Sequence, residues 1–214
     1  RIARRLTQGE FAVGRVIARP YIGKPGAFQR TANRHDYAVK PPAPTALNRL
    51  KEAGKSVMAV GKIGDIFSME GITNSFPTKS NADGVEKTIA VMERDFQGLC
   101  FTNLVDFDSL YGHRRDPEGY AKALEAFDQA LPSIMDTITE KDLLIITADH
   151  GNDPVHSGTD HTREYVPILL WSPALKGGAS IGVRSTFADA AATILDNFGL
   201  PAMEHGTSFL KELK

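Results

Sequence analysis

An acid and an imidazole stand side by side at Asp149-His150, with Gly151-Asn152-Asp153 behind them and His161 eleven residues beyond His150. The run before them, Asp142-Leu143-Leu144-Ile145-Ile146-Thr147-Ala148, has the length and apolar character of a buried strand and halts where the acid begins. Upstream, Leu99 to Val105 is a second apolar run, ending in Asp106-Phe107-Asp108 and then Tyr111-Gly112-His113. Two strands of one sheet are thus expected to end in carboxylate plus imidazole, a donor set able to grip a divalent cation.

Neutral imidazole together with carboxylate suits zinc, manganese or iron better than calcium, which prefers oxygen alone. Asp108, His113, Asp149, His150 and His161 are five candidate ligands, more than one four-coordinate ion needs if substrate is also to bind. The excess points to two ions, and a pair about 3.5 to 4 Å apart can stabilise both the attacking and the leaving oxygen in phosphoryl transfer. Spacing alone does not choose between Asp106 and Asp108. His35, His156 and His205 lack comparable neighbours and read as turn or surface histidines.

The elements that must position these residues follow from the pattern. Ile2 to Gln8 reads as a short helix, Phe11 to Arg19 as a strand, and Pro20 to Gln29 as a loop rich in turn residues. Lys40-Pro41-Pro42-Ala43-Pro44 cannot propagate a helix or a central strand and is the expected boundary, separating residues 1–40 from residues 41–214. Thr45 is a plausible N-cap for a helix through Ala53 that stops at Gly54. Strands at Ser56 to Gly61, Leu99 to Val105, Leu143 to Ala148 and Val166 to Trp171 then alternate with helices at Ala82 to Arg94, Glu118 to Thr137 and Thr186 to Phe198, before a short terminal helix at Ser208 to Leu213. Such alternation predicts an α/β fold, a largely parallel sheet flanked by helices, with ligands gathered beyond the carboxyl ends of its strands.

Composition narrows the classes. At 214 residues the chain is long enough to bury a substantial core. It contains no run of 18 apolar residues and no hydrophobic segment of secretory type behind its basic start, so neither membrane insertion nor secretion is expected and the predicted location is cytoplasmic. Cys100 is the single cysteine, which excludes an intrachain disulfide; within an apolar run it reads as a structural thiol. The net charge of −1 conceals an asymmetry: residues 1–40 hold nine Lys/Arg against two acids, and the remainder carries the opposing excess. An anion-binding module, or a segment whose partner is another part of the protein, accounts for this better than a nucleic-acid arm, because the arginines interleave with strand-like sequence and no nucleic-acid motif is present.

Several motifs together resemble a known family. Gly14-Arg15-Val16-Ile17-Ala18-Arg19-Pro20, Asn33-Arg34-His35-Asp36-Tyr37-Ala38, Asn103 to Asp108, Tyr111-Gly112-His113-Arg114-Arg115-Asp116 and Ala148 to Pro154 through Thr159 to Glu164 are similar, in this order, to prokaryotic-type phosphopentomutases of the alkaline phosphatase superfamily. The resemblance runs from end to end of the chain. It implies interconversion of ribose 1-phosphate and ribose 5-phosphate, and of their 2-deoxy forms, through a phosphoenzyme and a sugar bisphosphate activator. It further implies two divalent ions, usually manganese, with Asp108, His113 and His161 holding one and Asp149 and His150 contributing to the other. Arg15, Arg30 and Lys62 match positions that grip the sugar phosphate, and a guanidinium fork pairs well with phosphate.

Family members are longer. By the same resemblance, residues 1–40 are the C-terminal part of a small α+β cap, residues 41–214 the C-terminal part of the metal-bearing core, and the partner of this chain is an N-terminal part of the same protein. That part would carry the phosphorylated threonine and one more aspartate ligand. No threonine here matches the nucleophile, so the expected catalytic residue is absent and the chain alone is expected to be inactive. The metal residues by themselves are equally compatible with a phosphatase of the same superfamily or a noncatalytic metal-binding segment; the sugar-phosphate motifs favour the mutase.

Overall fold

The computed structural model describes residues 1–31 and 35–213, with the backbone alone at Arg30, His35 and Asp36. The expected motif residues Asn33 and Arg34 lie outside the described residues, as does the side chain of Arg30.

The amino-terminal stretch is helix α1 (Ile2–Leu6) and four short strands. Strand β1 (Arg15–Ala18) pairs antiparallel with β4 (His35–Ala38), and β2 (Tyr21–Ile22) with β3 (Gln29–Arg30). The expected loop between Pro20 and Gln29 is therefore a small hairpin. Its turn needs Gly23 at φ +111°, where a Cβ would collide with the Ala27 carbonyl. The Arg4 guanidinium donates to the Val13 carbonyl (2.8 Å), tying α1 to the chain before β1.

Beyond the prolines, Thr45 caps α2 (Ala46–Glu52) as the sequence predicts: its backbone N–H and its hydroxyl each donate to Asn48 Oδ1 at 2.8 Å. Strand β5 (Ser56–Val60) is central and parallel to both neighbours, β6 (Asn74–Phe76) and β7 (Gly98–Thr102). Because side chains alternate along a strand, Val57 and Ala59 pack on one face with Leu47 and Leu50 of α2 and Leu195 of α6 (Ala188–Asn197). Met58 and Val60 pack on the other with Val91 of α4 (Asn81–Met92). The sheet is thus covered on both sides, which is why β5 reads as a continuous apolar run rather than an alternating one. Two elements between β5 and α4, the one-turn α3 (Ile63–Ile66) and β6, escape the sequence reading because each is too short to show a period.

The long helix α5 (Pro117–Met135) starts on proline, whose missing N–H costs nothing at a helix start, behind the Asp116 cap that accepts from the Gly119 N–H at 2.9 Å. Strands β8 (Leu144–Thr147) and β9 (Ile168–Trp171) follow, and here one expectation fails. They form a separate antiparallel ladder, so β7 and β8 do not belong to one hydrogen-bonded sheet among the described residues. β8 and β9 are antiparallel to each other because no helix lies between them, and a chain that returns directly, without a crossover, pairs antiparallel. Among the described residues, no helix is long and apolar enough to cross a membrane.

The carboxyl-terminal segment is locked by a buried ion pair. Asp189, 3% exposed, accepts from the Thr207 N–H (2.8 Å) and from Arg184 Nε (2.9 Å), and Arg184 also reaches Glu212. The Thr207 N–H, helped by the Arg184 guanidinium, holds the Asp189 carboxyl below the usual range, while burial opposes them. Two outcomes follow. Asp189→Ala leaves Arg184 with Glu212 as its remaining acid and the Thr207 N–H without its carboxylate, and lowers unfolding free energy by about 1–3 kcal/mol, measured by urea denaturation. The contribution of this depressed carboxyl is fully present above its unfolded pKa of about 4 and is lost as pH falls through its folded value. The wild-type urea midpoint therefore drops on acidification, and Asp189→Ala shows a smaller drop.

Candidate metal centre

The chain after β7 builds one half of the site. Asp106 Oδ2 accepts from the Asn81 N–H (2.7 Å), and the Asp106 N–H donates to Asn81 Oδ1 (2.9 Å), so this acid is engaged at the start of α4. Asp108 is the one that faces the imidazoles. It lies in a wide turn, residues Phe107–Gly112, wound with i to i+5 hydrogen bonding and closed by the His113 N–H on the Asp108 carbonyl at 2.9 Å. Turns of this kind are uncommon and concentrate at functional sites. Here the winding brings His113 Nε2 to 3.4 Å from Asp108 Oδ1, while the other ring nitrogen meets the Thr159 carbonyl at 2.6 Å.

The chain after β8 builds the other half. A single antiparallel bridge, Gly151 with Thr162, folds the intervening loop back on itself. The Thr162 N–H donates to the Gly151 carbonyl (3.1 Å), and the Thr162 hydroxyl accepts from the Asp153 N–H (2.7 Å). Gly151 permits this approach, since a Cβ there would strike the Glu164 carboxylate and the Thr162 carbonyl. The closure sets His161 directly on His150, with ring centroids 3.7 Å apart and planes 17° from parallel.

The halves meet at Asp108. His161 Nε2 lies 3.1 Å from Asp108 Oδ1, and one ligand atom from each of Asp108, His150 and His161 falls within 4.8 Å of the others. The His113 ring stacks on His161 at 4.9 Å, which makes it a neighbour of this trio. The Asp149 carboxylate is 3.7 Å from His150 Nε2 and largely exposed. Asp108, His150 and His161 therefore converge from separate ladders with His113 against them, while Asp149 joins the group only through its chain neighbour His150. The phosphate-gripping candidates sit on other elements: Arg15 on β1, Arg30 on β3, and Lys62 in the turn after β5 that caps α3.

A carboxylate among three imidazoles, with the Asn152 amide donating to it, is the chemistry of a cation site. The donor set fits a borderline divalent ion. Its local field is felt nearby: burial first, then the Asp108 charge, pushes the Tyr120 phenol up from its ordinary value. Burial likewise raises the Cys100 thiol, in keeping with a structural rather than nucleophilic cysteine.

Two residues that the ligand pattern does not flag hold the halves together. Asn152, 9% exposed, donates from Nδ2 to Asp108 Oδ1 at 2.7 Å and accepts at Oδ1 from Arg115 at 3.0 Å. Both lie within motifs already singled out, but their roles depend on contacts 37 and 44 residues apart in sequence.

A profile of the metalloenzyme superfamily matches residues 7–202. Among solved structures, Leishmania mexicana phosphoglycerate mutase, crystallised at low cobalt concentration, superposes with a TM-score of 0.59 at 20% identity, over 76% of this chain and 38% of that one. The PH0037 protein from Pyrococcus horikoshii superposes with a TM-score of 0.52 at 17% identity, over 65% of this chain and 38% of its own. The chain therefore spans well under half the length of these structural relatives. At such identities the likeness concerns the fold.

Gly112 is the tightest point of the junction, because a Cβ there would overlap the Asn152 carboxamide. Gly112→Ala is expected to lower stability by about 1–3 kcal/mol through overpacking. An unchanged urea midpoint would show that Asn152 can step aside.

Proposed function

The chain belongs to the metalloenzyme superfamily, and on that footing we propose that it is the metal-bearing portion of a metal-dependent phosphotransferase of phosphopentomutase type. The substrates would be ribose 1-phosphate and ribose 5-phosphate and their 2-deoxy forms. The observation that carries the metal reading is the convergence of Asp108, His150 and His161, with His113 and Asp149 beside them. What favours a phosphosugar mutase over a phosphatase is the set of ordered motifs that includes Arg15 and Arg30, which a metal site alone does not require.

In this proposal Asp108, His113 and His161 hold one divalent ion and Asp149 and His150 help to hold a second, manganese being the expected metal. Bound there, the ions would supply charge neutralisation on phosphoryl oxygens and a lowered pKa for an attacking hydroxyl. The protein's part is positional. The Thr159 carbonyl fixes one nitrogen of His113 and leaves Nε2 toward Asp108, and the Gly151–Thr162 bridge holds His161 against His150. Arg15, Arg30 and Lys62 would bind the sugar phosphate. Residues 1–40 would serve as part of a cap that excludes water, hinged at Pro41 to Pro44, and residues 41–214 as part of the core.

Titration of the 214-residue chain with Mn2+ should show saturable binding that His161→Ala weakens at least about tenfold. Equal affinity in the variant would remove His161 from the ligand set. In the full-length protein, exchange of ribose 1-phosphate for ribose 5-phosphate without release of inorganic phosphate is the outcome that fits a mutase. Net phosphate release would replace this reading with a phosphatase.

A further inference from the structure

Arg115 is one of three non-glycine residues held at positive φ among the described residues, at +54°, a conformation that persists only where surroundings impose it. All three nitrogens of its guanidinium are engaged. Nε donates to the Gly158 carbonyl (2.5 Å) and Nη2 to that of Asp160 (2.7 Å), while Nη1 reaches the carbonyls of Asp153 (2.6 Å) and Gly112 (3.2 Å) and Asn152 Oδ1 (3.0 Å). Gly112 belongs to the turn that carries Asp108, whereas Asn152, Asp153, Gly158 and Asp160 belong to the loop between His150 and His161. One side chain therefore staples the two halves of the site to each other.

The relay from Arg115 to Asp108 has a defined polarity. Arginine can only donate and an ionised carboxylate can only accept. The Asn152 amide between them is consequently fixed with Oδ1 toward Arg115 and Nδ2 toward Asp108, and the wall at Gly112 packs against it. We propose that Arg115 and Asn152 are positioning residues that hold the Asp108 carboxylate in its metal-binding orientation, Arg115 acting through Asn152. The inference rests on the metal centre proposed above. It adds that the centre's affinity is set by a guanidinium that binds loop carbonyls and Asn152 and so orders the loop that delivers the ligands.

The test is a double-mutant cycle on Mn2+ affinity, read by loss of the free-ion electron paramagnetic resonance signal, for the 214-residue chain and its Asn152→Ala, Arg115→Lys and doubly substituted forms. Thermal unfolding of the metal-free proteins is followed in parallel. Each single substitution should weaken Mn2+ binding about ten- to a hundredfold, the range typical of partners that orient ligands. The double variant should bind little worse than Asn152→Ala alone, because both substitutions break one relay. A merely structural role would lower the unfolding temperature and leave Mn2+ affinity, measured well below that temperature, at the wild-type value; that result overturns the proposal. So does a double variant whose loss is the product of the two single losses. Lysine retains the charge and much of the length of Arg115, so this arm remains decisive if Asn152→Ala does not fold. Failure of the wild-type chain to bind Mn2+ at all would remove the metal centre itself and the proposal with it, and is separable from the preceding outcomes.

Discussion

The carboxylate of Asp108 is the point on which the two halves of the site close. It receives the Asn152 amide at 2.7 Å and stands within 3.4 Å of imidazole nitrogens from His113 and His161. Half-buried Asp108 can only accept hydrogen bonds when ionised, so it draws donors to itself. The surroundings supply these from two loops that come from separate strand ladders. The wide turn that carries Asp108, the bridge between Gly151 and Thr162, and the Arg115 staple can all be understood as devices that keep those loops in register.

The scaffold beneath is ordinary α/β packing. Buried β5, clasped by α2 and α6 on one face and α4 on the other, makes the rigid base from which β7 and its loop emerge. Rigidity at the base matters because a ligand set tolerates displacements of only about half an ångström before its geometry is lost. The loops bearing His113, His150 and His161 lack such packing and rely instead on hydrogen bonds to backbone carbonyls, notably those of Thr159 and Gly158. The candidate site thus sits on polar, locally strained structure supported by an apolar frame.

Much of the frame is legible in the residue order. The apolar runs at Ser56 to Val60 and Leu144 to Thr147, the Thr45 helix start, and the long α5 appear within a few residues of their expected limits. Those signals are local, resting on periodicity and capping. The hairpin of β2 and β3, the one-turn α3 and strand β6 are not legible, since two to four residues cannot display a period.

By itself, the sequence determined the kinds of donor available, their places after apolar runs, and the expectation that acid and imidazole groups would serve a divalent ion. It left Asp106 and Asp108 as equals on spacing alone. Only the tertiary structure engaged Asp106 with Asn81 and turned Asp108 toward the histidines, and only it put β7 and β8 in different ladders while bringing their loops together. It also revealed Arg115 and Asn152 as the link between those loops. The reason is the range of the forces concerned: residue type and neighbours suffice to specify a strand or a cap, but which carboxylate meets which imidazole depends on contacts between segments some forty residues apart, which no local pattern encodes.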